Sequence, residues 1–180
     1  MALLLLAVSA RAGGIGAFTG KLASADFGDA TTYGVKMEAS FFKIIGLEIR
    51  GSYTKNFDLD KPLLEDFELF SAEAGLLLRL PIGPFISMYG GGGGGYHIMP
   101  EFDIHRADGS TFTSHISDTP GAYGLAGIEA GVANFRVFAE VKYLSLKPDT
   151  VRFKGESDRL TKIETDLSGP AVHVGLLIRW

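Results

Sequence analysis

Three histidines and a serine stand where hydrolytic or metal chemistry could use them. His115-x-Ser117 is followed twelve positions later by Glu129. A serine activated by histidine, with a carboxylate to orient the ring, is what acyl hydrolysis needs. His97 and His105, with Asp103 or Asp108 beside them, offer imidazole and carboxylate groups that a metal ion could use. Placement argues against both. His115 falls in a polar stretch read as a loop, whereas Glu129 lies several residues down a strand, at about 3.3 Å per residue, and faces inward. The histidines follow no recurring ligand spacing and are expected to be solvated in the loop. No catalytic residue, cofactor or metal is assigned.

The elements that must position these residues are strands. From Gly14 onward the dominant period is two, and no helical period lasts beyond two turns. Val172, Val174, Leu176, Ile178 and Trp180 share one face; His173, Gly175, Leu177 and Arg179 share the other. The same separation runs through 33–41, 47–54, 70–79 and 136–143, with charges in mid-strand opposite apolar residues. Less sharply patterned strands at 14–21 and 122–132, with the glycine-bearing 85–98, bring the count to eight. The connections alternate: long near 22–32, 55–66, 97–120 and 147–167, short near 43–46, 81–84 and 133–134. In an up-and-down sheet every second connection lies on the same rim. The expected fold is therefore all-β, an eight-stranded antiparallel up-and-down transmembrane β-barrel with short periplasmic turns and long extracellular loops.

Composition narrows the partners. A chain of 180 residues suits one domain, and a net charge of −4 without any basic run excludes nucleic acid as a main partner. The absence of cysteine excludes disulfides, Cys-ligated zinc and a thiol nucleophile. The opening MALLLLAVSARA joins an apolar run to a small-x-small ending, as secretory signal peptides do, so 1–12 is read as a signal peptide without its basic start and 13–180 as the barrel. No further domain is expected after Trp180.

Aromatic heights choose between a soluble ligand carrier and a membrane barrel. Tyr33, Tyr53, Tyr96, Tyr123 and Tyr143 fall at the long-loop ends of their strands, and Phe41, Phe42, Phe85, Phe135 and Trp180 at the short-turn ends. Two aromatic girdles around an aliphatic band suit a barrel crossing a bilayer. The terminal HVGLLIRW (His173, Gly175, Ile178 and Trp180 at the marked positions) resembles the assembly signal of bacterial outer-membrane barrels. PFISMYGGGGGGY and VFAEVKY resemble strands of the OmpA-like and OmpX-like small barrels. This resemblance spans about Gly13 to Trp180 and implies a bacterial outer-membrane location and transient engagement with the barrel-assembly machinery. The His-x-Ser and Glu spacing is similar to that of the outer-membrane lipid A deacylases. That family carries its His-x-Ser on the penultimate strand, where this chain has Glu140-Val141-Lys142-Tyr143.

With polar faces inward, Lys36, Glu38, Glu48, Arg50, Glu73, Arg79, Glu129, Arg136, Glu140, Lys142, His173 and Arg179 meet in the lumen. Six of these are basic, His173 aside, and five acidic. An eight-stranded barrel has room only for its own side chains, so they are expected to pair into a plug. Of the six glycines between Tyr89 and Tyr96, those at 91, 93 and 95 are expected in the lumen, leaving room for long arginine and glutamate side chains. Those at 90, 92 and 94 would face lipid and leave a shallow groove. The expectation is a monomeric structural, loop-displaying or adhesion protein without catalysis, in contact with lipid and lipopolysaccharide, with 97–120 and 147–167 as docking loops. A lipid A deacylase-like enzyme and a narrow channel are the alternatives.

Overall fold

The structure, a computed structural model, describes residues 12–24, 28–41, 44–56, 68–100, 102–105, 111–116, 118–147, 151–153 and 166–180. The strands in chain order are β1 (Ala12–Ser24), β2 (Gly28–Phe41), β3 (Ile45–Asn56), β4 (Glu68–Pro81), β5 (Ile86–Ile98), β6 (Phe102–His105), β7 (Thr111–Ile116), β8 (Thr119–Val132), β9 (Phe135–Ser145), β10 (Val151–Phe153) and β11 (Gly169–Arg179). Eight of them close an antiparallel barrel in the order β1-β11-β9-β8-β5-β4-β3-β2. The last strand meets the first from Gly14 opposite Arg179 to Leu22 opposite Ala171. Gly13 and Trp180 exchange backbone hydrogen bonds at the seam, 3.2 and 3.1 Å.

The period-two pattern has the expected sense. Val35, Leu76, Val137 and Leu176 are each more than half exposed, whereas Lys36, Glu48 and Arg50 are no more than 2% exposed. This is the reverse of a water-soluble protein, where lysine, glutamate and arginine are the residues least often buried. A soluble carrier with an apolar interior is thereby ruled out. Closure leaves no unpaired strand edge in the barrel wall, which is what a hydrocarbon solvent requires.

Two features differ from the sequence expectation. The connection near 22–32 is mostly strand: β1 and β2 pair out to Ser24 opposite Gly28, with only 25–27 between them. The stretches 97–120 and 147–167 are also not plain loops. They contribute β6, β7 and β10, which form a three-stranded sheet in the order β10-β7-β6. β7 and β10 come from different connections, so this sheet ties two loops together and satisfies backbone groups that the barrel ladder leaves unpaired. Residues 1–11 of the expected 1–12 signal peptide, Phe42 and the 57–67 connection lie outside the described residues, while Ala12, its last residue, opens β1 opposite Ser40.

Candidate functional site: a charge-filled lumen

Alternate residues on each barrel strand point inward, and at one height they come from every second strand. Near the short turns these are Glu38 on β2, Arg79 on β4, Glu129 on β8 and Arg179 on β11. They close a ring of alternating sign. Arg79 Nη2 donates to Glu38 at 2.7 Å and its Nε lies 3.6 Å from Glu129. Arg179 Nη2 reaches Glu129 at 2.7 Å and Glu38 at 2.9 Å.

Arg50 on β3 fills the middle. It donates to Glu48 at 2.7 Å and spans to Glu140 on β9 at 2.8 Å. Tyr89 Oη and His173 Nδ1 also bond Glu140, at 2.9 and 3.1 Å. Lys36 links this layer to the ring, with Nζ 3.2 Å from Glu38 and 3.6 Å from both Glu48 and Glu140. Its ammonium sits 3.7 Å from the centre of the Phe138 ring, a favourable placement for a desolvated cation.

Nearer the long loops, Lys142 donates to both oxygens of Glu73. Ser71 Oγ lies 2.8 Å from His97 Nδ1, and Thr32 and Thr54 share a 2.9 Å hydrogen bond. Above them Leu69, Met99, Leu144, Leu146 and Leu167 form an apolar cap, each at most 4% exposed. Backbone bonds fasten it: Leu167 N to Leu146 O at 3.0 Å, and Leu146 N to Ser168 Oγ at 3.0 Å. Ions taken out of water lose several kcal/mol each unless geometry restores it, so an unpaired charge here would destabilise the barrel.

Eleven of the twelve expected lumen residues enter these contacts with one another, and Arg136 does not. Its Nη1 donates instead to the carbonyls of Phe85 and Gly131, at 3.0 and 3.1 Å, capping the short-turn rim. Six basic residues less Arg136 leaves five, against five glutamates, so the paired network balances in formal charge.

The aromatic positions need one correction. Tyr33, Tyr96, Tyr143, Phe85, Phe135 and Trp180 are exposed on the outer wall, and Tyr53 and Phe41 half-buried. Tyr123 is not in the girdle: it is 6% exposed and points inward, its hydroxyl 3.5 Å from Glu48. It shares parity with Gly127 and Glu129, and the pleat overrides residue type. Tyr89 and His97, of the same inward parity as Gly91, are further lumen groups that the sequence expectation left out, as are Phe18, Phe138, Ser71, Thr32 and Thr54.

The inward aromatics explain inward glycines. A Cβ at Gly34 would collide with the Phe18 ring, one at Gly175 with Phe138, one at Gly127 with Tyr89, and one at Gly75 with the Tyr123 hydroxyl. Glycine lets each ring lie against a neighbouring strand. The odd glycines of β5 do face the lumen, but Gly91 abuts Leu77, Gly93 abuts Gly75 and Gly95 abuts Glu73. The room expected for arginines is thus taken by closer packing, and only Glu73 matches. Among the outward glycines, Gly92 is tight, since a Cβ there would fall 2.7 Å from the Tyr123 carbonyl, whereas one at Gly90 or Gly94 would clear its neighbours at 3.5 or 3.4 Å.

The hydrolytic and metal candidates do not assemble among the described residues. His115 lies on β7, its backbone opposite Arg152, and Ser117 is outside the described residues. Glu129 belongs to the ring at the far rim. His97 is no loop residue but fully buried on β5, apart from His105 on β6; Asp103 shares β6 and Asp108 is outside the described residues. Ser71, His97 and Glu73 do bring the hydrolytic residue types together. However, His97 Nε2 stands 4.0 Å from Glu73, and Ser71 opens on a lumen cavity of only about 20 Å³, room for one water.

No protein family and no curated protein matches the chain. Solved structures do. OprG of Pseudomonas aeruginosa superposes with a TM-score of 0.76 at 16% identity, over 96% of this chain and 97% of that one. Neisserial surface protein A gives 0.65 at 15%, over 94% and 96%. Ail of Yersinia pestis gives 0.55 at 17%, over 94% and 97%. All three are eight-stranded outer-membrane barrels. At such identities the likeness concerns fold, and with the outward apolar band it leads to one conclusion: this chain folds as a small membrane-spanning β-barrel of the bacterial outer-membrane type.

Proposed function

We propose that the protein is an outer-membrane barrel that closes its own lumen and acts through its outer wall and long-loop rim, as a structural or loop-displaying protein without catalysis. The observation that carries this reading is the balanced ion-pair network beneath an apolar cap. A conducting pore of this size would need a wetted, continuous polar path, and a one-sign lining if it selected ions. Here opposite charges take each other's hydrogen-bonding capacity across the bore. Planar-bilayer recording from the purified, refolded barrel tests it. No steady ohmic current is expected; a large steady conductance would replace this reading with a channel.

In this reading the short turns face the periplasm, and the long connections, with the β10-β7-β6 sheet, face outward toward lipopolysaccharide and an extracellular partner. Strand β11, with outward Ile178 near its end and Trp180 just beyond it, serves as the signal read by the barrel-assembly machinery, with His173 and Gly175 on its lumen face. Substituting His115 or Ser117 should leave lipid A unchanged in a mass spectrum; altered acylation would favour an enzyme.

A further inference from the structure

The outer wall is not uniformly convex. Between two adjoining outward rows on β1 to β5 lies a hollow of about 670 Å³, within the size range of small-molecule sites. Its floor is made of small residues, Ala17, Gly51 and Ala72, set in one cross-strand row with Val35. Its upper bank is the next row toward the long loops, Tyr33, Tyr53 and Phe70. The Tyr53 and Phe70 rings stand 4.9 Å apart, tilted, and the Tyr53 hydroxyl is tied to Glu68 at 2.7 Å. That bank is held in place from above. The sequence suggested such a groove at Gly90, Gly92 and Gly94; this hollow lies further round the wall.

The hollow is continuous with the lipid-facing band, for Val35, Met37, Ile49 and Ile98 around it are each about half exposed. Its occupant is therefore set by the surrounding solvent, which is hydrocarbon. Lipid tails are as apolar as leucine, so no hydrophobic force selects a ligand here; packing does. A dent left empty would lose dispersion contacts along its whole lining. A flexible methylene chain can fill it, and three aromatic rings along one side give that chain a fixed bank. We infer that this hollow seats one acyl chain of a surrounding membrane lipid, lying between the Tyr33–Tyr53–Phe70 row and the Ala17–Gly51–Ala72 row. The inference rests on the barrel being membrane-embedded, not on its lumen being closed.

Gly51 allows a direct test. A Cβ there would have nothing closer than the Ser71 carbonyl at 4.0 Å, so Gly51→Leu fills the hollow without moving the wall. Gly124→Leu, outward on β8 with 3.9 Å to the nearest carbonyl, is the control. The full chain, with folding checked by heat-modifiable migration, is placed in phosphatidylcholine vesicles containing a trace of phosphatidylethanolamine with a photoreactive acyl chain. Labelled peptides are then mapped. Label is expected to concentrate on peptides carrying Tyr33, Tyr53 and Phe70 over the more exposed Val137 and Val141. Gly51→Leu should cut that excess roughly tenfold, about 1.4 kcal/mol, and Gly124→Leu should preserve it. Even labelling of every wall, or an excess untouched by Gly51→Leu, overturns the site alone. Barrel-to-barrel crosslinks through the hollow overturn it in favour of a second copy. No labelling of any wall overturns the membrane reading along with it.

Discussion

The Arg50 guanidinium holds the Glu140 carboxylate across the full width of the lumen, Nη1 to Oε1 at 2.8 Å and Nη2 to Oε2 at 3.4 Å. β3 and β9 are four strands apart in either direction around the barrel, so this pair is a diametric strut. Its two residues are 90 positions apart in sequence, and closing the barrel is what brings them together.

Breaking the strut from one side should therefore be worse than removing it. Arg50→Met leaves Glu140 and Glu48 with less compensation and is expected to lower stability by about 3–5 kcal/mol. Adding Glu140→Gln should restore part of that loss, since Lys36 then has one fewer carboxylate to serve. Urea unfolding in lipid vesicles, arranged as a double-mutant cycle, reads the coupling. Strictly additive losses would mean that the two groups do not act as a pair.

The glycine run separates two kinds of wall position. A leucine at Gly91 or Gly93 must push into backbone carbonyls of β4, at Leu76 and Ala74, whereas Gly90 and Gly94 have ordinary clearance. Refolding yield, read by gel mobility, should fall sharply for Gly91→Leu and Gly93→Leu and little for Gly90→Leu and Gly94→Leu. Gly92→Leu belongs with the damaging group despite facing outward. Equal yields throughout would contradict the strand's phase.

How much of this was legible in sequence depends on the range of the signal. Parity along a strand is local, and it correctly sorts Lys36 from Val35 and Glu140 from Val141. Where residue type and parity disagree, parity decides, as Tyr123 shows by turning inward among glycines. Which charges meet is not local. Nothing in the sequence separates Arg136, which caps carbonyls at the rim, from Arg79, which joins the ring, because strand stagger sets their heights. The apolar cap of Leu69, Met99, Leu144, Leu146 and Leu167 and the pairing of β7 with β10 were likewise hidden, being contacts between segments that share only a rim.

The Ser71–His97 pair should prove structural. His97 Nε2 is already buried without a hydrogen-bond partner, so Ser71→Ala would orphan the second ring nitrogen as well. A loss of about 1–3 kcal/mol is expected. Ser71→Ala with His97→Leu should recover much of it, since removing both partners spares the unsatisfied group. Vesicle unfolding checks both, and lipid acylation should be the same for all variants. A change in acylation with stability intact would make the pair catalytic.

The turn between β8 and β9 carries a remaining local conflict. Ala133 has φ 53°, the one positive φ outside glycine among the described residues, and the left-handed region brings an L-residue's Cβ too close to its following carbonyl, at about 1–2 kcal/mol. The turn is held there by what it must do: the Asn134 carbonyl accepts the Arg179 amide at 2.8 Å, anchoring the end of β11 beside the barrel seam. Glycine adopts this conformation freely but gives up more chain entropy on folding. Ala133→Gly should therefore raise stability by somewhat less than the strain, on the order of 1 kcal/mol, while β-branched Ala133→Val should lower it. Because the strain sits in the folded turn, the gain should appear mainly as slower unfolding in urea, provided the turn closes late. A glycine variant less stable than the parent would mean that the turn relaxes to negative φ in the bilayer.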